Sequence, residues 1–207
     1  MDAVLLDMDG TLVDSDAAVE RAWRAWADEQ GVPMADLLPR LHGSPAGITI
    51  RAVRPDLDDD AVDRAVQFQL GLQYDDLAEV RALPGAHELL ATLDRLHLPW
   101  AVVTSADRRL AEARLAAAGI APPLLVTIED SARGKPFPDP YLVAAQRLGV
   151  DPARCLVVED SQPGIDAGHA AGAQVAALRG LTADWSITSL AELSDRLEAG
   201  LVFTDGS

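Results

Sequence analysis

Apolar residues recur in two patterns along this chain, unbroken runs and helical spacing, and each change of pattern marks a change of element. Residues 3–6 form a short unbroken apolar run that stops at Asp7-Met8-Asp9-Gly10, the signature of a strand buried on both faces. The period then becomes helical. Val19, Ala22, Trp23, Trp26 and Ala27 recur at three- and four-residue spacing with Glu20, Arg21, Arg24 and Asp28 between them, which predicts an amphipathic helix over 15–30. Both Trp rings fall on its apolar stripe and are read as packing. From Gly31 to Arg81 helical patterns continue, with turn signals at Pro33, Gly43-Ser44-Pro45 and Pro55 and no convincing strand, so this stretch reads as a small all-helical insertion. The run Asp58-Asp59-Asp60 reads as a solvated helix start.

After Leu83-Pro84-Gly85 short apolar runs alternate with helical patterns. Helices are predicted near 85–97, 107–118, 138–148, 163–172 and 189–197. Strands are predicted near 100–103, 124–127, 154–158 and 174–178, with a possible edge strand at Leu201-Val202-Phe203. Strand and helix in alternation at this spacing give an α/β fold: a doubly wound parallel sheet with helices on both faces and the helical insertion after its first strand.

The 207 residues suffice for one well-buried core, or a core carrying a smaller insertion. Thirty-three acidic against seventeen basic residues give a net charge of −16, which argues against nucleic acid or an anionic membrane as partner. An anionic ligand would need a local cation to overcome that field. The single Cys155 excludes an intramolecular disulfide and, inside an apolar run, reads as a buried structural thiol. A reducing cytoplasm is the expected compartment, because no leader pattern and no membrane-length apolar stretch occurs. No apolar stripe is left over once the sheet and helices are assigned, so a monomer is expected.

A parallel doubly wound sheet brings all its strand carboxyl ends to one edge, where such sheets bind ligands. Four groups of polar residues converge there: Asp7 with Asp9, Thr104 with Ser105, Lys135, and Glu159 with Asp160. Taken singly, each could be a helix cap or a surface residue; jointly and in order they describe a phosphate site. Asp7 is the candidate nucleophile, since a carboxylate can attack phosphorus and split one difficult displacement into two easier ones. Asp9 is the candidate general acid and base. Carboxylates approach a phosphate dianion only with charge compensation, so one Mg²⁺ is expected on Asp7, the backbone carbonyl of Asp9, Asp160 and, as a further candidate, Glu159. Thr104 and Ser105 would offer hydroxyls and amides to phosphate oxygens, and Lys135 a point charge.

These residues resemble the haloacid dehalogenase superfamily of phosphotransferases. The resemblance is carried by Asp7-Met8-Asp9-Gly10-Thr11-Leu12-Val13-Asp14-Ser15, Val102-Val103-Thr104-Ser105, Gly134-Lys135-Pro136-Phe137-Pro138-Asp139-Pro140-Tyr141 and Val158-Glu159-Asp160-Ser161-Gln162-Pro163-Gly164-Ile165. It implies a Rossmann-like core over 1–15 and 82–207 and a mobile helical cap over 16–81, hinged near 14–16 and 81–85. Finer likeness, in Ala17 with Val19-Glu20-Arg21-Ala22-Trp23, in Leu41-His42-Gly43 and in Leu83-Pro84-Gly85-Ala86, points to the sugar and polyol phosphatases. It implies a Mg²⁺-dependent hydrolase of small sugar or polyol phosphates, with His42, Gly43 and Ser44 in the loop that reads substrate hydroxyls. His42 could equally be structural. A β-phosphoglucomutase is the nearest rival, but such mutases present a His where this chain has Val19, and a cap-loop Lys where it has Ser44. A dehalogenase would lack the second carboxylate, and a silent sugar-phosphate-binding regulator would have lost Asp7, Asp9 or Asp160.

Overall fold

The computed structural model describes residues 1–38 and 45–200. In chain order, β1 (Ala3–Leu6) leads through a tight loop to β2 (Val13–Asp14) and then to four helices: α1 (Asp16–Gln30), α2 (Met34–Leu37), α3 (Ala46–Val53) and α4 (Asp59–Tyr74). The chain returns through β3 (Arg81–Ala82), followed by α5 (Ala86–Arg95), β4 (Trp100–Val103), α6 (Arg108–Ala117), β5 (Leu125–Val126) and α7 (Asp139–Leu148). It ends with β6 (Cys155–Glu159), α8 (Gln162–Ala170), β7 (Gln174–Ala177), β8 (Trp185–Ser186) and α9 (Leu190–Glu198).

Six strands form one sheet in the order β5-β4-β1-β6-β7-β8, and every pairing in it is parallel. The chain winds outward from β1 to β5, then returns to the other side of β1 and winds outward again, so the winding reverses between β1 and β6. Alternation along β1 explains its unbroken apolar run. Val4 and Leu6 face a core shared with α5, α6 and α9, while Ala3 and Leu5 face a second core shared with α7 and α8. Cys155 is buried in the second core, where burial pushes its thiol up to about 11, so it packs and does not react.

The helical insertion has a core of its own: Val19, Trp23, Trp26 and Ala27 of α1 meet Leu37, Ile50, Val62 and Ala65. Trp23 and Trp26 stack edge to face at 5.5 Å, and the Trp26 indole N–H donates to the Ala65 carbonyl, so both rings pack as their stripe predicts. Asp58 caps α4 by accepting the Ala61 N–H at 2.8 Å, which accounts for the acidic run as a helix start.

Two short features escaped the pattern. β2 and β3 pair antiparallel, Val13 with Ala82 and Asp14 with Arg81, where no strand was expected; two-residue strands have no period to read. The sheet's edge strands among the described residues are β5 and, at 185–186, β8, which pattern reading did not predict, and the expected strand at 201–203 lies outside the described residues. No helix among the described residues is long and apolar enough to cross a membrane. Because Leu5 is completely buried in the central strand, Leu5→Ala should cost about 2–5 kcal/mol in urea unfolding; a loss below about 1 kcal/mol would show that the site collapses around the deletion.

Candidate functional site

Asp7 leaves β1 at the reversal point of the winding, and its N–H donates to the Val158 carbonyl of β6 at 3.0 Å. The loop behind it folds back on itself: the Leu12 and Val13 amides both donate to the Met8 carbonyl at 2.9 Å. Gly10 sits at φ +82°, and a Cβ there would run into the Asp160 carboxylate and the Arg179 guanidinium. Glycine is therefore required twice over, by the turn and by the approach of β6.

Lys135, on the loop before α7, is 1% exposed and spends all three ammonium hydrogens inside the protein. Nζ donates to Asp7 Oδ1 at 2.6 Å, to Glu159 Oε1 at 2.6 Å and to the Val103 carbonyl at 3.0 Å. Glu159 Oε1 also accepts the Tyr141 hydroxyl at 2.7 Å, while Oε2 accepts the amides of Asp160 and Ser161 and the Ser161 hydroxyl. A Cβ on Gly164 would fall on this carboxylate, so the start of α8 leaves room for it. Glu159 is thus fully engaged as an acceptor for Lys135 and for the chain around it.

Carboxylate oxygens of Asp7, Glu159 and Asp160 lie within 4.8 Å of one another. Burial, reinforced by the charges of Glu159 and Asp160, raises Asp7 well above the usual carboxylate range despite Lys135 beside it. Burial and the Glu159 charge push Asp160 up to about 7. Lys135 is raised: burial opposes its charge, and the two carboxylates outweigh that. Arg179, from the loop after β7, brings Nε to 2.9 Å from Asp160 Oδ2, yet its N–H is not aimed along a hydrogen bond, and Oδ2 is a buried oxygen without a donor. Three buried carboxylates beside one fully engaged ammonium form an anionic, all-oxygen cluster, and an orphaned oxygen in it fits a hard divalent cation.

Asp9 points elsewhere. Its Oδ1 accepts the Ser15 hydroxyl at 2.6 Å and its Oδ2 pairs with Arg114 Nη1 at 2.8 Å, so its side chain stands outside the three-carboxylate group. Asp7, Asp9, Thr104 and Ser105 share the wall of a cavity of about 80 Å³ with Gln69, Gln73 and Arg114. Thr104 follows β4, and there its amide donates to the Val126 carbonyl and its hydroxyl accepts the Ala106 N–H. Val19 and Trp23 give the cavity an apolar side. His42 and Gly43, the expected readers of substrate hydroxyls, lie outside the described residues, as does Ser44.

Pattern reading missed Arg114, Gln69 and Gln73, although the signal was present. Arg114 falls on the buried stripe of α6 with Leu110, Ala111 and Leu115, and Gln69 and Gln73 continue the buried stripe of α4 begun by Val62 and Ala65. Polar residues on an apolar stripe need buried partners, which here converge on the cavity. Arg179 left no such mark, since it belongs to no periodic element.

A family model described as haloacid dehalogenase-like hydrolase matches residues 1–172, and the chain belongs to this family. It is 43% identical over 178 residues to hexitol phosphatase A of Escherichia coli (strain K12), covering 84% of this chain and 81% of that protein. It is 34% identical to 2-deoxyglucose-6-phosphate phosphatase 1 of Saccharomyces cerevisiae, covering 83% of this chain and 77% of that one. Its fold is shared with a β-phosphoglucomutase from Clostridium difficile, with a TM-score of 0.87 over 97% of this chain and 96% of that chain at 19% identity.

Removing the Lys135 charge leaves Asp7 and Glu159 facing each other in a dry site. Lys135→Met should therefore destabilise the metal-free protein by about 3–5 kcal/mol in neutral urea titrations. The loss should shrink as pH falls, because protonation of Asp7, which its burial already favours, relieves the repulsion. An unchanged unfolding midpoint at neutral pH would contradict this account.

Proposed function

We propose that this chain is a Mg²⁺-dependent phosphatase of small sugar or polyol phosphate monoesters, working through an aspartyl-phosphate on Asp7. The observation that carries the reading is the Asp7 carboxylate at the reversal point of the sheet, held by Lys135 through Oδ1. That contact sets the rotation of the carboxylate and assigns attack to Oδ2. The Oδ2–P bond forms as the bond from phosphorus to the substrate oxygen breaks, and Asp9 delivers a proton to the departing alkoxide. Asp9 then takes a proton from water, the resulting hydroxide attacks phosphorus, and the Asp7–P bond breaks to release inorganic phosphate. Thr104 and Ser105 bind phosphate oxygens at the cavity wall, and Lys135 offsets the charge that gathers there.

Mg²⁺, held by Asp7, the Asp9 backbone carbonyl and Asp160, would supply the positive charge that lets a phosphate dianion approach these carboxylates. Glu159 acts through Lys135 in this scheme, because its oxygens already accept five donors.

Two lines support the substrate class. The relatives include proteins named for hexitol and 2-deoxyglucose 6-phosphates. The cavity also holds a buried donor without an acceptor among the described residues, Gln69 Nε2, which a hydroxylated leaving group could satisfy. The cavity's 80 Å³ has room for several waters but is well under the ~300 Å³ of a typical ligand pocket, so the helical unit, residues 16–81, must shift to admit substrate. The connections near 14–16 and 81–85 are the proposed hinges, and the β2–β3 pair lies at their seam. A mutase is less well supported, since Val19 contributes only aliphatic surface to the cavity.

Phosphate release from a panel of hexitol, 2-deoxyglucose, glucose, fructose and glycerol phosphates should occur with Mg²⁺ and stop with chelator. Asp7→Asn should lower kcat by roughly a thousandfold or more while leaving the fold intact; activity within about tenfold of the parent would refute the nucleophile. Conversion of β-glucose 1-phosphate to the 6-phosphate without phosphate release would instead establish the mutase.

Protons and Mg²⁺ compete for Asp160. A carboxyl raised in the folded state adds stability at low pH and loses it as pH rises through its folded value, here about 7. The metal-free protein should therefore weaken between about pH 4 and about pH 7 from this group, and the increase in Tm produced by Mg²⁺ should grow over the same window. A Mg²⁺ increment that stays flat or falls with pH would remove Asp160 from the metal site.

A further inference from the structure

Asp9 is held from across the cavity by a residue that belongs to none of the strand ends. Arg114 projects from α6, is 2% exposed, and reaches acceptors in two separately packed parts of the protein. Nη1 lies 2.8 Å from Asp9 Oδ2 in the sheet-based core. Nη2 donates at 2.6 Å to Gln73 Oε1 on α4, in the helical insertion. Gln73 in turn donates from Nε2 to Gln69 Oε1 at 2.7 Å, so the chain of bonds runs on into the cavity wall. α4 and α6 are in direct contact at this point.

A guanidinium presents its donors in a rigid planar fork, so two acceptors on different bodies determine its orientation. With α4 docked, Gln73 holds one prong and the other lies in ion-pair contact with Asp9. If α4 withdraws, that prong loses its acceptor, and the guanidinium can turn about its remaining contact. Meanwhile Ser15 donates to the other Asp9 oxygen, Oδ1, at 2.6 Å. The two contacts divide the carboxylate: Oδ2 is anchored by charge, and Oδ1 is left as the oxygen that can carry the proton to the leaving group.

We propose that Arg114 is a positioning residue that conveys the docked position of α4, through Gln73, to the rotation of the Asp9 carboxylate. The inference rests on the phosphatase reading and on Asp9 as its general acid. It adds a specific link by which closure of the helical unit and readiness of the acid become one event.

The test compares two leaving groups. A sugar or polyol alkoxide departs only with a proton, whereas p-nitrophenolate departs without one, and kcat/KM reports steps only as far as cleavage of the first P–O bond. Arg114→Met should lower kcat/KM by about a hundredfold or more for 2-deoxyglucose 6-phosphate or, where faster, a hexitol phosphate. For p-nitrophenyl phosphate the loss should stay below about tenfold. Gln73→Met should show a smaller loss with the same selectivity, and Arg114→Met combined with Gln73→Met should be no worse than Arg114→Met alone. Arg114→Lys, which keeps the charge but cannot span both acceptors, should behave like Gln73→Met.

Equal losses on both substrates would mark a merely structural role and overturn the proposal, as would an unchanged rate on the sugar phosphate or additive effects in the double variant. Should Arg114→Met fail to fold, the two-substrate ratio of Gln73→Met decides alone. Wild-type protein inert toward both phosphates would overturn the phosphatase reading itself, whereas an active wild type with equal losses overturns only the part given to Arg114.

Discussion

The ammonium group of Lys135 is what allows two carboxylates to face each other in a nearly dry pocket at the sheet's edge. Asp7 and Glu159 each place one oxygen at 2.6 Å from the same nitrogen, and the Val103 carbonyl takes the third hydrogen. Much of the surrounding construction serves this contact. Tyr141, Ser161 and two backbone amides fill the remaining lone pairs of Glu159, and Gly164 gives up a side chain so that its carboxylate fits. A buried charge network is stable only when every member is satisfied, and Glu159 and Lys135 meet that condition.

Asp160 does not, and the contrast has chemical meaning. Its Oδ2 is buried without a donor, and burial has moved its proton affinity toward neutrality. Within one cluster, then, part is closed by hydrogen bonds, and part keeps a buried oxygen with an ion-pair neighbour but no hydrogen-bond donor among the described residues. Arg179 is that neighbour. It also pairs with Asp16 at the first turn of α1, so this edge of the site is tied to the start of the helical insertion.

The insertion and the sheet-based core have largely separate apolar cores, although Ala18 and Val80 of the insertion join the sheet's, and polar contacts also link the two parts over the cavity. Arg81 with Asp14, Arg179 with Asp16, Tyr74 with Asp107, and Arg114 between Asp9 and Gln73 all span the two parts. Exposed ion pairs such as Arg81–Asp14 add little stability, about 0–1 kcal/mol, and are easily remade in another geometry. An interface of this kind holds two bodies in register through contacts that can be remade.

The parallel sheet and the helical insertion were legible along the chain because they follow from short-range periodicity. An apolar run such as residues 3–6 can be buried on both faces only inside a parallel sheet, and such a sheet sends its strand ends to one edge. The sequence alone therefore gathers Asp7, Thr104, Lys135 and Glu159 at one rim. It does not set their division of labour. Whether Glu159 meets Lys135 or open space depends on Tyr141, Ser161 and the bare Cα of Gly164, and the orientation of Asp9 depends on Arg114 and Gln73, more than sixty residues from it or beyond. Those are long-range contacts between side chains, with no period and no fixed spacing along the chain, and only packing of the helical insertion against the sheet brings them together.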